Sequence, residues 1–295
     1  MTRVRLEAYA KLNLNLRVAG RRPDGYHDIE SVVQSVTLHD DLILESASSG
    51  IELEVDDASL PADATNLAWR AAEEVRRAAG RPLGARIRLQ KRVPVGAGLG
   101  GGSSDAAAAL VGACRLWSLD LGLEALAALA ARLGSDVPFF LSGGTALLSG
   151  RGTEVRPLPD LAARSFLVVF PGSPLATRDV YAQVQESLTP APKIGSMHRS
   201  GLAGSDEVEA WVRVGNDLEP YARALCPAIG EIKDRLLRAG ATAAGMTGSG
   251  SAVFGVFRNP VLLERATREL ERSGWMVLCC ATLGRADHRR GLGLT

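Results

Sequence analysis

Lys91-Arg-Val-Pro-Val-Gly-Ala-Gly-Leu-Gly-Gly-Gly-Ser-Ser-Asp105 is the stretch from which the rest of the chain is best read. Six of the seven residues from Gly96 to Gly102 are glycine or alanine. Before them, Ala85 to Leu89 alternates Ile87 and Leu89 against Arg86 and Arg88, the pattern of a half-exposed strand. After them, the alanine-rich run Ala106 to Trp117 predicts a helix. Strand, glycine loop and helix in this order let backbone N–H groups converge on an anion at the positive end of the helix dipole, so the loop is read as a phosphate site. It is not a Walker A loop, because no G-x-x-x-x-G-K-[ST] occurs. Gly96, Gly98 and Gly101 do satisfy G-x-G-x-x-G, with Asp120 near the place of a ribose-binding acid. A dinucleotide fold, however, needs a continuous apolar parallel strand there, and this one alternates and runs into Pro94.

Working towards the N-terminus, Asn66 to Ala79 predicts a helix and Asp56 to Asp63 a loop. From Val4 to Val18 the apolar residues fall on even positions, so Lys11, Asn13 and Asn15 share the opposite strand face, available for chemistry or for solvent. The turn-rich Gly20 to Gly25 leads to Tyr26, His27 and a second strand-like region, Ile29 to Leu44. Towards the C-terminus, a helix over Leu123 to Leu133 is expected to end in a left-handed cap at Gly134. Ser135-Asp136-Val137-Pro138 then restarts the chain, with Pro138 suited to a first helical turn. Asp136 suits a helix N-cap and a catalytic base equally well. Leu158 to Ser165 reads as the domain boundary, giving units 1–160 and 161–295, the second opening on the apolar strand Phe166 to Phe170. Glu186 to Asp206 reads as a mobile loop. Helices over Leu218 to Arg238 and Val261 to Arg272 flank a glycine-rich hairpin at Gly245 to Phe257, Trp275 to Cys280 forms a last strand, and the tail from Arg285 is expected to fray.

The composition narrows the function classes. With 295 residues, 34 Lys+Arg and 33 Asp+Glu, the chain has a formal charge of +1 and no basic stripe to neutralise a nucleic-acid backbone. Its longest apolar stretches, Ala106 to Cys114 and Leu123 to Ala131, fall short of the roughly 18 residues a membrane span needs. Arg3, Arg5, Glu7 and Lys11 interrupt any signal-peptide core, so a cytoplasmic location is expected. Cys114, Cys226, Cys279 and Cys280 lack C-x-x-C spacing and read as reduced, buried thiols. Only four of the basic residues are lysines, among them Lys11, so a lysine retained in an arginine-dominated chain invites a specific role.

Taken together, the motifs resemble the galactokinase, homoserine kinase, mevalonate kinase and phosphomevalonate kinase superfamily. Pro94-x-x-x-Gly98-Leu-Gly100-Gly-Gly-Ser103-Ser104 is similar to its ATP loop. Ala10-Lys11-Leu12-Asn13-Leu14 with Arg22-Pro-Asp24-Gly25-Tyr26-His27, and Gly245-Met-Thr-Gly248-Ser249-Gly250-Ser251-Ala252-Val253-Phe254, resemble the first and third motifs of the branch that phosphorylates a cytidine-diphosphate-linked methylerythritol. Asn216-Asp217-Leu218-Glu219, Asn66-Leu67 and Gly134-Ser-Asp136-Val-Pro138 match that branch as well.

The resemblance implies an α+β, two-domain small-molecule kinase fold. Its N-terminal unit would resemble the second domain of ribosomal protein S5, its C-terminal unit would be ferredoxin-like, and the active site would lie between them. The implied reaction is ATP-dependent phosphorylation of the acceptor's 2-hydroxyl, in non-mevalonate isoprenoid precursor synthesis. Asp136 would be the base, assisted by Lys11. ATP would contact Asn66, Leu67, Pro94, Val95, Gly96, Ala97, Gly98, Leu99, Gly100, Gly101, Gly102, Ser103 and Ser104. Mg²⁺ is implied as cofactor, the Ser104 hydroxyl being a candidate ligand and its carboxylate ligand unassigned. The acceptor would contact Asn13, Tyr26, His27, Asp136, Thr177, Tyr181, Gly248 and Ser249. Other readings are a homoserine- or mevalonate-type kinase, or a non-catalytic sensor on the same scaffold. Tyr26-His27 speaks against the first, since those substrates carry no base to stack. The Lys11 and Asp136 pair speaks against the second. The partner is a small molecule, with monomer and homodimer both open.

Overall fold

The computed structural model describes residues 2–184 and 206–294, so the loop expected at Glu186 to Asp206 lies, apart from Asp206, outside the described residues. Two sheets organise the chain. The first contains β1 (Arg3–Asn13), β2 (Arg17–Arg21), β3 (His27–Ala47), β4 (Gly50–Val55), β5 (Gly84–Gln90), β6 (Thr145–Ser149) and β7 (Glu154–Pro157). Its order is β4-β5-β3-β6-β7, with β1 and β2 also paired to β3. The second contains β8 (Ser165–Phe170), β9 (Ala243–Met246), β10 (Val253–Phe257) and β11 (Met276–Ala281), in the order β11-β8-β10-β9.

β1 pairs antiparallel with β3, and the alternation of the first eighteen residues breaks in two places: the register shifts between Tyr9 and Lys11, and β1 ends at Asn13. The polar face is not solvated, because Lys11, Asn13 and Asn15 are all at most 4% exposed. Asn15 Oδ1 accepts from Val32 N–H at 2.9 Å and Asn13 Nδ2 donates to Ser31 Oγ at 2.7 Å, which meets the requirement that buried polar groups be paired.

Between the strands of the first sheet lie α1 (Leu67–Ala79), α2 (Gly101–Leu116), α3 (Leu123–Leu133) and α4 (Val137–Ser142). Asn66 caps α1, its side-chain oxygen accepting from Ala68 N–H at 2.9 Å. α2 starts five residues before its alanine run because glycines 101 and 102 and the two serines already adopt helical geometry. Its small side chains lie directly on Leu6, Leu42 and Leu44. Burying each leucine contributes about 1.5–3 kcal/mol. Gly134 is extended, at φ 177° and ψ 158°, rather than left-handed; its N–H still closes α3 on Ala130, and the extended step carries the chain directly into Asp136 and α4.

After β8 come α5 (Thr177–Tyr181), α6 (Glu207–Val214), α7 (Glu219–Leu225), α8 (Ala228–Arg238), α9 (Pro260–Glu271) and α10 (Arg285–Gly291). The single helix expected over Leu218 to Arg238 is two, because Pro227 has no N–H and holds Cys226 at φ −140° and ψ 87°. The tail expected to fray is helical and docked. His288 is fully buried, its Nε2 bonded to the Phe140 carbonyl at 2.8 Å, and Arg285 Nη2 donates to the carbonyls of Thr145 and Leu158 at 2.5 and 3.1 Å. All four cysteines are free and three are buried; Cys279, on β11, is exposed rather than buried. Among the described residues no helix is long and apolar enough to cross a membrane.

One cluster of buried side chains joins the two sheets, with Leu12, Val32 and Leu147 from the first packed with Phe166, Phe254 and Val256 from the second. An isolated bridge between Val36 and Thr282 adds a backbone link.

Candidate active site

A cleft of about 1410 Å³ opens along the glycine loop and takes wall residues from the first sheet, from α5 and from the turn between β9 and β10. The loop from Pro94 to Gly100 connects β5 to α2, and its conformation follows from how its carbonyls are held. Gly96 O accepts from Leu175 N–H at 3.2 Å, Ala97 O from Ala252 N–H at 3.1 Å and Leu99 O from Lys11 N–H at 3.0 Å. Gly98 O accepts from the Thr247 hydroxyl at 3.2 Å. In a trans peptide the N–H points opposite to the preceding carbonyl. Four consecutive carbonyls tied back to β1, to Leu175 and to the turn between β9 and β10 therefore turn the amides of residues 97–100 the other way, and those amides have no partner among the described residues.

Glycine is required where this packing is closest. At Gly98, φ is +79° and an added Cβ would sit 2.3 Å from Thr247 O; at Gly100, φ is +75° and it would sit 2.7 Å from the Phe140 ring and 3.1 Å from the Lys11 side chain. Gly100 also starts α2 with no side-chain cap, leaving the first helical amides open.

Lys11 and Asp136, 125 positions apart in the chain, meet here: Lys11 Nζ lies 3.5 Å from Asp136 Oδ2, with the lysine side chain 5% and the aspartate 34% exposed. Asp136 makes no capping hydrogen bond to α4, so its carboxylate remains directed at Lys11 and the cleft instead of the helix start. Lys11 Nζ also donates to Asn13 Oδ1, and Asn13 N–H donates to Thr247 Oγ1 at 3.0 Å. The Thr247 hydroxyl is thus a joint between the lysine-bearing strand and the glycine loop. Its position in the third motif is visible in sequence, but its partners are not.

Ser103 lines the cleft. Ser104 does not: it is 1% exposed and its hydroxyl is buried with no partner among the described residues. Asn66 and Leu67 line the cleft too, although both polar ends of Asn66 are engaged, one in capping α1 and one on the Pro61 carbonyl at 2.9 Å.

Sequence reasoning missed a cluster beneath this end of the cleft. Lys91 Nζ donates to Asp40 Oδ2 at 2.5 Å and to Asp105 Oδ2 at 2.7 Å. Burial pushes the Asp105 carboxyl up to about 7, Lys91 opposing the rise and Asp40 adding to it. Burial works against the charge on Lys91, yet Asp105 and Asp40 together hold its ammonium above the usual lysine range. The signal available in sequence was that Lys91 is one of only four lysines.

At the other end, Tyr26 is 52% exposed and the Arg151 guanidinium lies 3.6 Å from its ring centre, a cation–π contact that sequence reasoning did not find. His27 stacks on Tyr181 with ring centres 5.2 Å apart and planes at 28°. Burial, with the Arg21 charge, lowers the His27 pKa and favours the neutral ring. Burial and the nearby Asp136 raise the Tyr181 phenol, which stays protonated. Thr177 and Ser249 share a hydrogen bond at 2.9 Å and line the cleft together with Gly248. Among the described residues there is no group of three or more His, Cys, Asp or Glu side chains that could hold a metal by themselves.

An uncapped helix start, a loop with its amides turned to one side and a lysine–aspartate pair at its edge define a phosphotransferase cleft, and the two-sheet fold is that of the GHMP kinases. Residues 66–144 match the family profile "GHMP kinases N terminal domain" and residues 200–275 match "GHMP kinases C terminal". A protein of Pelotomaculum thermopropionicum named 4-diphosphocytidyl-2-C-methyl-D-erythritol kinase is 44% identical over 93% of this chain and 96% of its own length. A crystal structure of 4-(cytidine 5'-diphospho)-2C-methyl-D-erythritol kinase superposes with a TM-score of 0.80 at 37% identity, covering 95% of this chain and 100% of that one. A homoserine kinase from Cytophaga hutchinsonii, at 18% identity and a TM-score of 0.75 over 98% and 96% of the two chains, shares the fold. The chain belongs to the 4-diphosphocytidyl-2-C-methyl-D-erythritol kinase family of GHMP kinases.

Proposed function

We propose that this protein transfers the γ-phosphoryl group of ATP to the 2-hydroxyl of 4-diphosphocytidyl-2-C-methyl-D-erythritol, a step in non-mevalonate isoprenoid precursor synthesis. The observation that carries the mechanism is the 3.5 Å approach of Lys11 to Asp136 beside the glycine loop. Phosphoryl transfer needs positioning and charge stabilisation more than covalent help. Asp136 takes the proton of the acceptor hydroxyl as that oxygen bonds to the γ-phosphorus and the bond to the bridging oxygen of ADP breaks. Lys11 stabilises the charge between carboxylate and phosphoryl group, and Asn13 holds the ammonium in place.

The amides of residues 97–103 bind the triphosphate, and Asn66 and Leu67 border the adenine. Mg²⁺ fits the donor set present, which offers the Ser103 hydroxyl on the cleft wall and, among the described residues, no all-protein cage, the usual arrangement where phosphates supply most ligands. When bound, the ion neutralises charge on the phosphates. Tyr26, His27 and Tyr181 receive the cytosine, while Thr177, Gly248 and Ser249 contact the acceptor's phosphate-bearing part. The chain divides functionally near residue 160, where the first sheet gives way to the second.

The test is to supply purified protein with ATP, Mg²⁺ and either the cytidylated acceptor or simple alcohols such as homoserine and mevalonate, and to follow ADP release. Turnover confined to the cytidylated acceptor is expected. Release driven equally well by homoserine or mevalonate would overturn the assignment.

A further inference from the structure

The motif Asn216-Asp217-Leu218-Glu219 has no part in the mechanism above, yet it occupies a junction. Leu16 N–H donates to Gly215 O at 3.0 Å and Asp217 N–H to Leu16 O at 2.8 Å, so the start of the motif runs parallel to the chain entering β2. The Asp217 carboxylate accepts from Arg17 Nη1 at 2.6 Å and from Val18 N–H at 2.9 Å. From this fixed base the Asn216 side chain, 9% exposed, reaches the hairpin between β9 and β10. Its Nδ2 donates to Met246 O at 3.0 Å and to Gly248 O at 2.8 Å, while its Oδ1 accepts from Leu218 N–H at 2.9 Å. One amide therefore pins the carbonyls on either side of Thr247, the residue whose hydroxyl holds Gly98 O and receives Asn13 N–H. Ala252 N–H, on the same hairpin, holds Ala97 O.

We infer that Asn216 is a positioning residue for the nucleotide: by fixing the 246–248 backbone it holds the carbonyls of Ala97 and Gly98 and so aims the loop amides into the cleft. The inference rests on the phosphate-binding role proposed for that loop. Only the two N–H donors of the asparagine do this work, whereas its oxygen serves the start of α7. The two roles can therefore be separated by substitution.

Asn216→Asp keeps the size and the acceptor for Leu218 but replaces the donors with an oxygen facing two carbonyls. Asn216→Ser keeps a short acceptor and cannot reach the hairpin. In both, ADP affinity measured by calorimetry should weaken about 10-fold, the effect of losing two hydrogen bonds. Backbone amides of 247–252 should exchange faster in the free protein while the melting transition stays cooperative. In turnover, KM for ATP should rise as kcat falls; a simple loss of folded enzyme would lower the apparent kcat and leave both KM values alone. ADP binding within about twofold of the parent in a folded variant, or unchanged exchange at 247–252, would overturn the inference, and so would failure of both variants to fold, since that gives Asn216 a folding role. ADP binding and exchange need no acceptor. A parent protein that ignores the cytidylated alcohol would instead refute the assigned reaction.

Discussion

Lys11 and Asp136 stand 3.5 Å apart, and among the described residues no other carboxylate lies within ion-pair range of the lysine, so each is the other's charge partner. Lys11→Ala and Asp136→Asn should each lower kcat by roughly 100-fold or more while KM for ATP changes little, because the triphosphate is held elsewhere; steady-state kinetics with both substrates checks this. His27→Ala should raise KM for the cytidylated acceptor far more than KM for ATP, and an equal loss for both would point to misfolding instead. The candidate catalytic residues were legible in sequence because they sit in short motifs: Lys11 and Asn13 alternate along a strand, and Asp136 precedes Val137-Pro138. What decides their use was not legible. Asp136 could have been a helix cap, and only the absence of a capping bond frees it. Arg151, Lys91 and Thr247 enter the site through partners 14 to 234 positions away, which no local pattern encodes.

Among the elements, the glycine loop has the least freedom to vary. Gly98→Ala would put a methyl group 2.3 Å from Thr247 O at a φ of +79°, so either the loop or the hairpin must move. ATP binding should be largely lost even where the protein still folds, measurable by nucleotide titration alongside circular dichroism. The helix α10 makes a different prediction, because His288 is buried in its neutral form with its pKa lowered to about 4, chiefly by burial and further by Arg285 and Arg289, against the hydrogen bond to Phe140. In the unfolded chain the imidazole takes a proton near the ordinary histidine value of 6.5, so the unfolded state binds more protons between about 6.5 and 4. Stability from this group is complete above that window and falls as the pH drops through it. His288→Gln should therefore flatten the acid side of the stability profile, seen by urea denaturation at a series of pH values. That tail read as frayed because four polar or basic residues in seven hide one buried ring, and burial against α4 is a tertiary fact. The long strands β1, β3 and β5 and the helices α1, α3 and α9 were legible from period, whereas β4, β6, β7, α5 and α6 were not read, and the break at Pro227 was missed because the apolar spacing on either side continues in phase.

For the molecule as a whole, the shared core between the sheets matters more than the division near residue 160. Phe254 is fully buried, packs edge-on to Phe166 at 5.9 Å and belongs to the cluster that includes Leu12 and Val32 of the first sheet. Calorimetry should show one cooperative transition, and Phe254→Ala should lower stability by about 3–5 kcal/mol without splitting it in two. Two separate transitions would mean that the cleft walls are not held together by this core. Such coupling matters to a site whose amides, ammonium and closing hairpin come from opposite sides of the junction.

The His27–Tyr181 pair gives that shared cleft a threshold for entry. Two rings with centres 5.2 Å apart leave no slot for a third, since a flat guest would need them roughly 7 Å apart. The cytosine proposed to bind here either lies against the exposed Tyr26 ring or the outer side of the pair, or displaces one partner and gains only the difference between the old contact and the new. A ringless alcohol has no face to lay on either ring.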